Sequence, residues 1–231
     1  MFDVMDLRSA LTTTGAIRDF TDEPVDDATL ARVLDVARFA PSGGNRQGWH
    51  VVVVRDPSIR RRIRDAYLGG WYEYLAQRAA GLTPWSPRND RAVEADAIGN
   101  AGAIAGAASP DGFAERLDEV PVLLAVLVDL GALAAVDRDL DRYTFAGAAS
   151  VYPFAWNLLL AAREEGLGGV ITTMAIRAES EVLDALGAPE GHAVAALLAL
   201  GHPTRTFTKL TRAPVASFTT VDRVDGAPFG A

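Results

Sequence analysis

The chain has 231 residues, a formal net charge of −8, 49% hydrophobic residues and no cysteine. Such a length and composition describe a globular protein with a substantial core, and they exclude disulfides, thiolate metal sites and thiol nucleophiles. The acidic balance argues against a nucleic-acid surface. The longest apolar run, 120–136, is broken by Pro121 and Asp129 and is too short to span a bilayer, so no membrane partner is expected. The opening MFDVMDLRSAL lacks the layout of a signal peptide, which makes a cytoplasmic protein the expectation.

Residues 3–13 read as a short helix, and TTTGAIRDFTDEPV after it as an extended segment ending at a turn. DDATL then supplies Asp and Thr caps for a helix near 28–39, where Leu30, Val33, Leu34 and Ala37 keep helical spacing. APSGGNRQGW, 40–49, leads from this helix into HVVVV, a β-branched run with the character of a buried strand. A connection needs only turn chemistry. This one also carries Asn45, Arg46 and Gln47, and its two amides can each donate and accept hydrogen bonds.

Asp56-Pro57 opens a basic helix, roughly 57–67. Residues 69–118 change character, with Trp71, Tyr72, Tyr74 and Trp85 preceding an Ala/Gly-rich polar stretch, and read as a variable insert or lid. VPVLLAVLVDL, 120–130, is a central strand, and 145–165 a long buried helix with Pro153 near its first turns. GLGGVITT is a Gly-rich turn into a strand, AESEVLDALG a short helix closed by Gly187, and HAVAALLALGHP, 192–203, a buried strand. From 204 the chain is polar and extended, a tail of the kind that lies across a partner subunit. Four or five strands alternating with helices predict an α+β sandwich in a single domain, 1–231, with the helix at 145–165 crossing one face of the sheet.

Several chemistries are excluded by their signatures. Ser42 stands in PSGG rather than in G-x-S-x-G, and no phosphate-binding G-x-x-x-x-G-K-[ST] occurs. GLGGVI lacks the third small residue of a dinucleotide fingerprint. DRDLDR, 137–142, lacks the Gly and Glu of a calcium loop, and the three His, at 50, 192 and 202, show no ligand spacing. What remains is a set of polar loops suited to anions and amides: Arg18 in TTTGAIRDF, Asn45 to Gln47, the backbone of GLGGVITTM, and Lys209 with Arg212 in KLTRAP.

In that order the segments GAIRDFTDEPV, APSGGNRQGW, GLGG, GHP and RAP resemble the FMN-dependent nitroreductase family, over about residues 8–60 and 145–220. The resemblance implies an α+β, nitroreductase-like three-layer sandwich with a mixed central sheet of four to five strands between helices. It implies a homodimer whose C-terminal extension, 204–231, reaches onto the partner, with FMN in a cleft at the interface. Arg18 would then contact the ribityl or pyrimidine side, and Asn45 and Gln47, in one loop with Ser42, the isoalloxazine edge. Arg212 would pair with the phosphate, with Lys209 near it, and backbone groups around Thr172, Thr173 and Met174 would approach the ring from the other side. NADH or NADPH would be the electron donor, and a nitroaromatic, quinone or enone-like molecule the acceptor, with no catalytic side chain required.

The resemblance also admits a flavin-binding protein without turnover, and specialised relatives that dehalogenate a substrate or fragment the flavin. One departure stands out. The family's first basic pair and the Ser after it are replaced by Thr14, Gly15 and Ala16. Loss of a charge-assisted contact predicts weaker FMN binding unless Arg46, Lys209 or another Arg substitutes.

Overall fold

The computed structural model describes residues 5–230, and its framework is a four-stranded sheet closed between two layers of helices. Strands β1 (Trp49–Val54), β2 (Val122–Asp129), β3 (Gly168–Thr172) and β4 (His192–Gly201) lie in the order β1-β2-β4-β3. All three pairings are antiparallel, which corrects the expectation of a mixed sheet. The parallel component is an isolated bridge between Ala16 and Gly169. β2 and β4 read as continuous apolar runs because helices cover both of their faces.

Alternation along the central strands divides the core in two. On one face α2 (Asp27–Ala37) and α6 (Tyr152–Glu164) bring Leu30, Val33, Phe154 and Leu158 against Leu124, Val126, Leu198 and Leu200. On the other, α3 (Pro57–Ala79) and α7 (Glu179–Leu186) set Ile63, Tyr67 and Val182 against Leu123, Leu127 and Leu197. Each fully buried Leu contributes roughly 1.5–3 kcal/mol, and a one-residue slip would exchange the two faces, so this burial fixes the register. The three-layer sandwich expected of the chain is the one observed.

Local chemistry sets the helix ends. Asp6 caps α1 (Leu7–Thr13) by accepting from the Ser9 N–H; residues 3 and 4, where this helix was expected to begin, lie outside the described residues. Asp26 and Asp56 cap α2 and α3, and Pro57 occupies the first turn of α3, where its missing N–H is no loss. Gly187 closes α7 in the left-handed conformation, with φ +62°.

Two helices differ from expectation. α3 runs to Ala79 instead of ending near 67. The Gly69-Gly70 pair suggests a break, yet a Cβ on Gly70 would stand 2.3 Å from the Met174 carbonyl oxygen. Gly70 is therefore a point of close approach inside a continuous helix. The stretch 69–118 consequently has no beginning of its own: it is the second half of α3, then α4 (Arg91–Gly99), α5 (Ala101–Gly106) and the return to β2. The helix expected over 145–165 is also two elements, a 3-10 stretch at Ala146–Ser150 and α6, parted at Val151.

Candidate functional site

Between α2 and β1 the chain turns through Gly44, Asn45 and Gln47, whose φ angles are +61°, +53° and +51°. Asn tolerates this left-handed region, whereas Gln47 pays on the order of 1–3 kcal/mol to occupy it. Hydrogen bonds hold the turn there. The Ser42 carbonyl accepts from the Asn45 N–H at 2.9 Å, and the Ser42 hydroxyl oxygen from the Gln47 N–H at 3.0 Å. The Gly43 N–H donates to Ser150 Oγ at 3.0 Å and the Arg46 guanidinium to the Ala132 carbonyl at 3.4 Å. Gln47 Nε2 donates to Asn45 Oδ1 at 3.1 Å, so the two exposed amides stand together at the tip. Trp49 stacks on Phe154, with centroids 4.7 Å apart, and ties the loop to α6.

The segment after α1 runs along the opposite edge of the sheet. The Ile17 N–H donates to the Gly169 carbonyl at 2.9 Å, the Thr21 N–H to His202 at 2.8 Å, and the Thr204 N–H to Asp19 at 3.2 Å. These bonds lay Arg18 beside the start of the tail, where residues 16–19 and 204–209 enclose a cleft of about 580 Å³. Arg18, Arg205 and Lys209 line it with a single carboxylate, Asp19. None of the three cations enters a salt bridge among the described residues, although the chain is acidic and pairs arginines widely elsewhere. Arg212 is exposed farther along the tail, its guanidinium donating to the Thr211 carbonyl at 2.8 Å. On its other side Arg18 lies 5.9 Å above the Phe113 ring, beside a second cleft of about 560 Å³ between 18–25 and 111–121.

Thr14 is buried and its hydroxyl has no hydrogen-bond partner. Gly15 lies against Phe207, and Ala16 bridges to Gly169. None of these three presents a charged or hydrogen-bonding side chain to the cleft. Arg205 and Phe207, by contrast, are absent from the residues that sequence reasoning nominates; a basic residue two positions after the Pro that ends β4 is the signal that could have found the first.

Thr172 ends β3, paired with Leu197, and Thr173 and Met174 follow it. Thr172 is buried and its hydroxyl donates to Tyr67 Oη at 3.4 Å, Thr173 is exposed, and Met174 packs on the α3 side of the sheet. Burial pushes the Tyr67 hydroxyl above its ordinary value. Burial, together with Glu115 accepting from it at 2.9 Å, pushes the Tyr72 hydroxyl up to about 12. Both phenols thus stay protonated at neutral pH. Tyr67, Trp71 and Tyr74 form a stripe along one face of α3, with successive centroids 6.4 and 5.4 Å apart, which the expectation of an insert from residue 69 missed.

Strand register gives the separation between these groups. Trp49, next to the amide loop, is level with Val128 and Ala193; Gly169, beside Ile17, is level with Leu200. From Ala193 to Leu200 along β4, and across three strand spacings, the separation is roughly 24 Å by 14 Å. The amide loop and the cationic cleft occupy diagonally opposite corners of the sheet.

The segment that supplies Ala132 and Ser150 to the amide loop is itself closed by Asp137, which is 3% exposed. Asp137 accepts from the Phe145 N–H at 2.9 Å, Arg142 at 2.8 Å and the Ala146 N–H at 3.2 Å. The Phe145 N–H first, then Arg142, hold its carboxyl at about 2, against an ordinary 3.8. A carboxyl whose folded pKa is depressed stabilises fully above its unfolded pKa, and loses that contribution as pH falls through the folded one, here between about 4 and 2. Urea denaturation across that window should show the wild type losing more stability than Asp137→Asn; equal slopes would refute the assignment.

Among the described residues no helix is long and apolar enough to cross a membrane, and no three His, Asp or Glu gather as a metal site. The model of the Nitroreductase family matches residues 12–202. The chain is 28% identical over 200 residues to the NADH dehydrogenase of Thermus thermophilus, covering 87% of this chain and 88% of that protein. It is 31% identical over 193 residues to the 5,6-dimethylbenzimidazole synthase of Rhodospirillum rubrum, covering 81% and 77%. Among solved structures, a variant of the FMN and NADPH-dependent nitroreductase NfnB from Sphigopyxis sp. strain HMH has a TM-score of 0.64 at 23% identity, over 95% of this chain and 100% of that one.

Proposed function

The chain belongs to the Nitroreductase family, and on that premise we propose that it is a homodimeric FMN oxidoreductase. It takes hydride from NADH or NADPH and passes electrons to a small acceptor such as a nitroaromatic, a quinone or an enone. The diagonal placement of its two polar corners carries this reading. Exposed amides suited to the edge of a heterocycle stand at one corner, and unpaired cations suited to a phosphate at the other. Their separation exceeds the reach of one flavin mononucleotide. A twofold partner sets the loop of one subunit against the cleft of the other, and does so twice. Val36, Phe39, Phe145 and Tyr152, exposed on and beside the α2–α6 layer, give a second copy an apolar surface to cover, and so do Phe218, Val221 and Phe229 on the tail.

The donor set fits the group. Arg212, with Lys209 near it, would pair with the phosphate, which a guanidinium grips bidentately, and Arg18 would contact the ribityl or pyrimidine side. Asn45 and Gln47 would bond the ring edge, with Ser42 keeping their loop closed, and Thr172 to Met174 would offer backbone groups to the ring. FMN, when bound, supplies the hydride and electron chemistry. The chain's own part is to bind, orient and shield. Donor and acceptor use one cleft in turn, which gives ping-pong kinetics. The NADH dehydrogenase and nitroreductase names of similar proteins support the nicotinamide donor. The 31% identity to a 5,6-dimethylbenzimidazole synthase supports a second, specialised reading in which that compound is the product.

The purified protein is expected to be yellow, to release FMN on heating, and to have its bound flavin bleached anaerobically by NADH or NADPH within seconds. A protein that binds no added FMN would overturn the reading. Bound FMN that neither nicotinamide bleaches would replace an enzyme with a flavin carrier. Formation of 5,6-dimethylbenzimidazole in air would favour the second reading.

A further inference from the structure

We propose that Arg205 takes over the phosphate contact left by the missing N-terminal basic pair, and that Phe207 fills the place above Gly15 where such a side chain would stand. The inference rests on the flavin reading above and adds to it a residue which that reading does not use.

Gly15 is not among the glycines with positive φ, so backbone conformation does not demand it. Space does. A Cβ at this position would meet two Phe207 ring carbons at 2.6 and 2.7 Å and Leu210 Cδ2 at 3.1 Å. Any side chain at 15 must displace the tail. Thr14 cannot contribute instead, because its hydroxyl is buried and unpartnered. The N-terminal segment has therefore given up its charge to let the tail close down on it.

The tail returns that charge. The same turn of chain that places Phe207 over Gly15 sets Arg205 and Lys209 on the wall of the cleft that Arg18 also lines. No group in the described chain accepts a hydrogen bond from the backbone N–H groups of residues 205–211, so the segment presents donors as well as positive charge. Other candidates for the substitution are placed elsewhere. Arg46 is engaged on the Ala132 carbonyl behind the amide loop, on the ring-edge side of the site, and Arg212 already has a phosphate contact of its own in the reading above. Of the two tail cations on the wall, the guanidinium alone can grip a phosphate with two parallel bonds.

The test compares FMN with riboflavin, which has the ring and ribityl chain without the phosphate, by fluorescence titration of the full chain stripped of flavin. Arg205→Gln should weaken FMN roughly 10- to 100-fold and leave riboflavin unchanged, with the deficit shrinking as salt is raised and Arg205→Lys recovering part of it. Equal loss for both flavins, or no loss for FMN, overturns the proposal. A second comparison does not depend on that variant alone. In the Arg205→Gln background, adding Gly15→Arg with Phe207→Ala should recover at least tenfold in FMN affinity, whereas Gly15→Arg without Phe207→Ala should not. Recovery by Gly15→Arg alone would also overturn it, because Phe207 would then not occupy the site. If the wild type binds neither flavin, the functional reading itself fails. If the wild type binds FMN tightly and Arg205→Gln does the same, only the relocation fails.

Discussion

Mixing two flavin-deficient variants is expected to restore binding that neither shows alone. The first variant, Asn45→Ala with Gln47→Ala, loses the amide corner; the second, Arg18→Ala with Lys209→Ala, loses two cations of the other corner. Two charge-assisted contacts at roughly 1.5–3 kcal/mol each predict that the second variant loses 100-fold or more in FMN affinity. Neither change touches the core, so both should fold and dimerise. If the corners of one site come from different subunits, each heterodimer has one intact site and one doubly damaged site. After subunit exchange in an equal mixture, about a quarter of all sites should bind FMN normally. A mixture no better than its components would place both corners of the site in one subunit. Removing residues from Thr206 onward should be harsher still, since the tail's apolar residues leave with Lys209 and Arg212, and sedimentation should then report loss of the dimer together with the flavin.

The second large effect is at Trp49. It ends the amide loop, begins β1, and lies parallel to Phe154 at 4.7 Å, with a 5° angle between the rings. Trp49→Ala removes that stack and opens a gap between the loop and α6. For a half-buried Trp the cost is about 3 kcal/mol, and it should appear as a lower urea midpoint with an unchanged slope. The loop loses its anchor as well, so FMN affinity should fall although Trp49 itself need not touch the flavin. Trp49→Phe should recover most of both. A midpoint unchanged in Trp49→Ala would show that the hydrogen bonds accepted by Ser42 and by the Ser150 hydroxyl hold the loop without it.

Much of the fold was legible where the physics is local. The β-branched run of β1, the caps at Asp26 and Asp56 and the αL terminator Gly187 each state a local preference, and each was met. Strand direction was not local. The continuous apolar runs of β2 and β4 report that both faces are covered, which holds for either direction, and the antiparallel pairing is decided by which segments meet across long intervals of chain. The end of α3 was misplaced for a similar reason. Gly70 has an intrinsic tendency to break a helix, and only the position of Met174, distant in sequence, shows that it serves contact instead. In the site, residue types were readable and neighbourhood was not. Asn45, Gln47, Arg18 and Lys209 announce hydrogen bonding and charge, but their diagonal separation exists only once the register is known. Arg205 had only its place two residues after Pro203 to mark it, and the contact between Phe207 and Gly15 is what gives it meaning.

The scarcity of lysine gives the cleft a chemical address. Lys209 is the only lysine in the chain, against 21 arginines, and it stands on the wall that Arg18 and Arg205 share. Acylating reagents that spare guanidinium groups find their one ε-amine at this spot. With any α-amine blocked beforehand, a small amine-directed fluorophore attached there would sit inside the cleft without competing copies elsewhere, and its emission would follow what enters and leaves. The reaction itself would carry information, because an anion resting against the ammonium group shields it, and the rate of acylation becomes a measure of occupancy that needs no colour in the ligand.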